Sequence, residues 1–347
     1  MMANIINIQE FHLSGIILVL IISAIIISIA GTYLAKFADQ IADITKLGEA
    51  LIGAVLLGAV TSLAGVVTSI SAAMQGYADL AISNAIGGIA VQTFFLAIAD
   101  MTYRKANLEH ASASLSNLMY SVLLIGLLAM LLMMSQTEEV TVMGFHPGSP
   151  LIIITFLGGL WIVSKASKSP MWTPTRTLET VSDIPAKDLD KINLKKLWIG
   201  FSVSALLVII AGYFVGEAGI EISERTQLSE SFVGGLFTAV ATSLPELIVS
   251  ISAVKRGSLT MAVSNIVGGN SFEVIVVAIA DFFYKGSILH AATSADSYII
   301  TLTILLMSVL LMGLLYREKQ GIAKIGWESF GIVILFIGGY IILYFNG

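Results

Sequence analysis

Ten apolar runs of about 18 to 25 residues divide this sequence, each long enough for a helix to cross the hydrocarbon core of a bilayer. In lipid every backbone N–H and C=O must find its partner inside the protein, so such runs restrict the chain to a bundle of transmembrane helices. The runs centre on residues 13–35, 49–73, 79–101, 112–134, 149–166, 196–218, 231–254, 258–282, 294–316 and 326–345. Hydrophobic residues make up 56% of the chain and charged ones 12%, which leaves no visible soluble domain. The first run, Leu13 to Ile29, lacks a basic leader and a small-residue cleavage site. It is expected to remain as the first span rather than act as a removed signal peptide. The absence of cysteine excludes disulfides, thiolate metal sites and cysteine nucleophiles.

Charge placement supports this span count. With the amino terminus outside, 16 of the 18 basic residues fall in loops predicted inside, leaving only Arg225 and Lys285 outside. That bias predicts a multi-pass protein of the cell membrane with both termini outside. The one long connection contains Pro170, Pro174 and Pro185 among mixed charges and reads as a linker. The expected organisation is a first five-helix half over 1–166, a cytoplasmic linker over 167–195 and a second five-helix half over 196–347.

The two halves repeat. Sliding the sequence by 181 residues superposes Gly53–Tyr103 on Gly234–Tyr284 with 19 identities over 51 positions and no gap. The register continues upstream, pairing Gly31 with Gly212, Thr45 with Thr226 and Glu49 with Glu230. Five spans separate the copies, an odd number, so the second copy is inverted in the membrane. Inverted repeats with a substrate site where broken helices meet at the midplane are typical of secondary transporters. A channel can share that symmetry.

Within the seventh run stands Thr242-Ser243-Leu244-Pro245-Glu246. A proline removes one helical hydrogen bond and opens the helix locally. A carboxylate at that depth costs at least about 2.5 kcal/mol on insertion scales and by default marks an ion or proton site. Thr61 and Gly65, and Thr242 and Glu246, are four residues apart and share a helix face. The same spacing links Gly88 with Gln92 and Gly269 with Glu273. Carboxylates, hydroxyls and helix breaks together suit a hard cation with oxygen ligands.

These residues resemble the alpha-repeats of the cation/Ca2+ exchanger superfamily, which includes the Na+/Ca2+ exchangers. Thr242 to Leu247, TSLPEL, is close to its G-T-S-L-P-E-L signature, and Ser264 to Val274, SNIVGGNSFEV, is similar to its G-N-x-x-G-S-N-x-x-[DN] element. The resemblance implies an all-α membrane protein of ten transmembrane helices in two inverted five-helix repeats. It implies a secondary active cation antiporter in which the first and sixth spans slide over an eight-helix core, with Ca2+ and Na+ as transported ions. Carried over, the cation ligands are Glu246 with Thr242 and Ser243 in the second repeat, and Thr61 and Ser62 in the first. Glu273 and Gln92 take the acidic or amide positions on the eighth and third spans, and Gly58 and Ala239 give backbone carbonyls. Glycines stand at 88 and 269 in place of the serine of each G-S-N, and TSLAGV puts Ala64 and Gly65 where Pro-Glu is expected.

The missing first-repeat glutamate leaves both deep carboxylates in the second repeat. Ca2+ takes 6 to 8 oxygens, so more waters or carbonyls are needed, and Gly65→Glu is expected to strengthen Ca2+ binding or change the ion-exchange ratio. Two close carboxylates can share a proton as well as a cation. A monovalent-cation/H+ exchanger, with H+ or K+ carried, therefore stands beside the Na+/Ca2+ type, as do a channel and a transport-dead homologue of the same fold. No nucleophile–base pair or zinc motif points to an enzyme. No cofactor or nucleic-acid partner is expected, and a monomer in the lipid bilayer is. Asp100 and Asp281 read as interface markers, Glu230 and Glu49 as helix-dipole partners, Asp39 and Asp43 as solvated charges, and the four histidines, His12, His110, His146 and His290, as lying outside the spans with no ligand spacing.

Overall fold

The computed structural model describes residues 8–45, 59–102, 106–137, 140–178, 193–255, 259–319, 321 and 326–346. Its long elements are helices: α1 (Leu13–Thr45), α2 (Leu63–Gln75), α3 (Ala78–Thr102), α5 (Leu115–Ser135), α6 (Gly148–Lys168), α7 (Leu194–Thr226), α10 (Leu259–Asp281), α12 (Ser294–Tyr316) and α13 (Trp327–Asn346). The seventh apolar run forms two helices, α8 (Glu230–Thr242) and α9 (Leu244–Lys255), bent by 49°. Two short helices, α4 (Leu108–Ser112) and α11 (Ile288–Ala291), follow α3 and α10. Among the described residues, eight single helices and this bent pair are long and apolar enough to cross a membrane. The second run is described only from residue 59, so the count of ten is not fully drawn; Gly58 and Glu49 lie outside the described residues.

Packing follows from side-chain size and polarity. Helices α3 and α10 have no separate polar face and lie at the centre, 89% and 72% buried along their apolar windows, as such helices do. Gly87 of α3 packs against the backbone of Gly235 in α8, where a β-carbon has no room. That contact sits on a π-helical turn, Val233–Thr238, a distortion common beside functional sites. Helices α1 and α7 pair with each other on one flank. Each has 33 residues, about 50 Å at 1.5 Å per residue, so they run well beyond the 23-residue spans the sequence suggests. Their polar ends stay helical where α7 is tied to the core. Gln75 Nε2 donates to Glu217 Oε1 at 2.5 Å, Tyr77 donates to Glu224, and Thr68 Oγ1 donates to the Gly212 carbonyl at 2.8 Å.

The repeat is visible in three dimensions. A β-carbon on Gly31 of α1 would meet Pro245 of α9, and one on Gly212 of α7 would meet the backbone of Ala64 on α2. The two contacts are related by the 181-residue shift at both partners.

Asp100 and Asp281 stand at the ends of their helices and are buried, at 1% and 0% exposure. Each accepts a backbone N–H from the short helix that follows: Leu108 at 2.6 Å to Asp100 Oδ1 and Ile288 at 2.7 Å to Asp281 Oδ1. Asp281 Oδ2 also accepts from His146 N at 2.8 Å and Ser149 Oγ at 2.6 Å. These carboxylates fix chain turns. His146 and His290 lie with ring centroids 5.1 Å apart and tilted by 47°, where Asp281 ties the start of α6 to the end of α10.

Candidate cation site

Pro245 has no N–H to offer the carbonyl of Ala241, one turn back, so the helix breaks there. The break brings Thr242, Ser243 and Glu246 to the centre of the bundle, at 5%, 2% and 2% exposure. Thr61 and Ser62 occupy the corresponding break ahead of α2, at 4% and 2%. Gln92 on α3 and Glu273 on α10 complete the cluster, at 1% and 4%. The Glu246 carboxylate lies within electrostatic reach of Glu273 and close to Thr61. Ser62 and Gln92 lie close to the Glu273 carboxylate. Gln92 Nε2 donates to Ser243 Oγ at 3.4 Å.

Three oxygens of this cluster are buried without a hydrogen-bond partner: Ser62 Oγ, Gln92 Oε1 and Glu246 Oε2. A buried polar atom left unpaired costs about 1–3 kcal/mol, and three converging ones make a pocket suited to an oxygen-seeking cation. Other candidates are already engaged. Thr242 Oγ1 donates to the Thr238 and Ala239 carbonyls at 3.0 and 3.2 Å, and Ala239 O also accepts Ser243 N at 3.0 Å. Ala239 O thus has two donors in this conformation, whereas the proline deprives Ala241 O of its helical one. Among the described residues no three acidic or histidine side chains are placed to hold a metal, so any cation here must draw on hydroxyl, amide and carbonyl oxygens beside the two glutamates.

Sequence reasoning did not single out Asn84 and Thr238, which wall the site. Asn84 Nδ2 donates to Gly65 O at 3.2 Å and to Ser69 Oγ at 2.9 Å, while its Oδ1 accepts from Thr238 Oγ1 at 2.7 Å. One side chain thereby joins α2, α3 and the π turn of α8. The signal was the Ser-Asn pair shared by both repeats, at Ser83-Asn84 and Ser264-Asn265.

The family model for sodium/calcium exchanger proteins matches residues 15–163 and 196–345. The chain belongs to this family. It is an integral membrane protein and, with the family, a membrane exchanger of cations. Among relatives of the exchanger, the inner membrane protein YrbG of Escherichia coli is 26% identical over 297 residues, 84% of each chain. The fold is also that of the H+/Ca2+ exchanger CAX, with a TM-score of 0.66 and 16% identity over 97% of this chain and 86% of that one. For the sodium-calcium exchanger NCX_Mj the values are 0.59 and 18%, over 94% and 97%. Both likenesses show that this family member shares the helical fold of those two proteins.

Proposed function

We propose that this protein is a secondary active cation antiporter of the Na+/Ca2+ exchanger type, with Glu246 and Glu273 as charged ligands and Thr61, Ser62, Gln92, Thr242 and Ser243 as neutral ones. The observation that carries the reading is the convergence of unpartnered buried oxygens from Ser62, Gln92 and Glu246 beside the Glu273 carboxylate. Such atoms are satisfied by a bound cation and are otherwise a standing cost. The pairing of α1 and α7, separate from the central α3 and α10, supports alternating access by movement of that pair over the core. In the cell membrane both termini lie outside, and residues 167–195 link the halves 1–166 and 196–347 on the cytoplasmic side, in keeping with the basic loops. The protein acts as a monomer.

One observation favours a second reading, exchange of a monovalent cation or Ca2+ against H+. Glu246 and Glu273 lie within electrostatic reach of each other in one buried pocket, and two close carboxylates can share a proton as well as a cation.

Fluxes of Na+, K+, Ca2+, Mg2+ and H+ in proteoliposomes of the purified protein decide between the readings. An exchanger accumulates labelled Ca2+ against unlabelled ion or an opposing Na+ or H+ gradient. A channel only dissipates the gradient, and a transport-dead homologue does neither. Glu246→Gln is expected to abolish coupled flux in a folded protein; unchanged flux removes the assignment.

A further inference from the structure

Two glycines that replace expected ligands both face the same acid. A β-carbon built on Gly65 would stand 3.5 Å from Glu273 Oε2, 3.7 Å from Oε1 and 3.9 Å from Asn84 Nδ2. One built on Gly88 would stand 3.7 Å from Ser243 Oγ, 3.8 Å from Glu273 Cδ and 3.9 Å from Oε2. An alanine would fit at either place. A longer side chain at residue 65 would grow into the space the Glu273 carboxylate holds.

We propose that Glu273, although rooted on α10 in the second repeat, is the carboxylate of the first half of the cation site, reaching into a notch that Gly65 and Gly88 leave open for it. The proposal rests on the exchanger reading above and deepens it by assigning Gly65 and Gly88 as specificity-determining positions. Glu246 is the repeat-mate of Gly65, and Gln92 that of Glu273. The facing pair Gly65 and Glu273 therefore corresponds to Glu246 and Gln92, and each pair carries one acid and one neutral residue. The negative charge is balanced about the pseudo-twofold axis even though both acids come from one repeat. The Gly88 contact is mirrored more loosely by Gly269, whose β-carbon would stand 4.0 Å from Gln92 Oε1, the repeat-mate of Glu273. A glutamate at residue 65 with Glu273 in place would crowd a third carboxylate into a buried pocket, which like-charge repulsion opposes. On this assignment Gly65→Glu alone does not strengthen Ca2+ binding.

Radiolabelled Ca2+ binding and flux, measured on the purified protein and three variants, test the assignment. Glu273→Asp withdraws the carboxylate from the notch by one methylene and is expected to weaken Ca2+ binding at least 10-fold. Glu273→Gln is expected to lose it, and the double variant Gly65→Glu/Glu273→Gln to recover binding to within 10-fold of wild type. Size-exclusion profile and melting temperature establish that each variant is folded; should the double variant not fold, the Glu273→Asp result decides. A folded double variant as inert as Glu273→Gln, or a Glu273→Asp variant equal to wild type, overturns the proposal while leaving an active wild-type exchanger. A wild-type protein that neither binds nor carries any of the tested cations overturns the exchanger reading and this proposal together.

Discussion

Pro245 fills the space beside Gly31, so that a β-carbon on the glycine would stand 2.5 Å from the proline Cγ. The related contact joins Gly212 to Ala64, whose carbonyl oxygen lies 2.9 Å from the equivalent point. Each member of the α1–α7 pair therefore touches the broken helix of the opposite repeat through a residue with no side chain. In the proposed alternating access, the helix break at the candidate site is also the surface along which the flanking pair moves.

Branched side chains at these glycines are expected to stop transport. Overpacking costs about 1–3 kcal/mol, and here the crowded atoms belong to a proline ring or to backbone. Gly31→Val and Gly212→Val are each predicted to lower coupled flux at least 10-fold. Gly158→Val on α6, where a β-carbon meets nothing within 4 Å, is predicted to leave flux within twofold of wild type. Equal flux in all three variants would show that neither contact matters to movement.

Thr238→Val keeps the shape of the π turn's last residue and removes the hydroxyl that donates to Asn84 Oδ1 at 2.7 Å and Gly234 O at 2.9 Å. The buried amide oxygen is then unpaired, at a cost of about 1–3 kcal/mol. The melting temperature in detergent should fall by several degrees, and cation binding should weaken because Asn84 also holds the Gly65 carbonyl. A variant as stable as wild type would mean that a water takes the hydroxyl's place.

His146 gives a pH signature. It lies outside the spans, and burial together with its neighbour His290 holds its pKa below the usual histidine value. Its Nδ1 accepts Gly148 N at 2.9 Å, a bond only the unprotonated nitrogen can make. Because the folded pKa is below the unfolded one, the unfolded chain takes up the proton first as pH falls, so stability drops from about pH 7 toward the folded pKa. Thermal melts between pH 7 and pH 5 should show a steeper loss for wild type than for His146→Asn, whose Oδ1 can accept the same N–H. Parallel curves would count against the assignment.

The spans, the repeat and the break at Pro245 were legible in the sequence because each depends on local chemistry: apolar length, register, and a proline with no N–H. Most of the candidate ligands were legible for the same reason. The Glu273 notch was not, because it needs α10 to meet α2 across a chain separation of about two hundred residues. Nor was the Asn84–Thr238 bond, which spans 154 residues. Asp281 looked like a boundary marker because its donors, at His146 and Ser149, come from the start of α6, which composition alone cannot dock.

Much of the α1–α7 pair is not covered by protein. Their apolar windows are only 22% and 33% buried, and Ile17, Leu18, Ile25, Ile29, Trp198 and Leu206 turn outward. Lipid thickness acts directly on such helices, at fractions of a kcal/mol per Å of mismatch. The bilayer is thus a working part of this machine, and vesicles built from shorter or longer lipids should change its turnover without altering a single ligand.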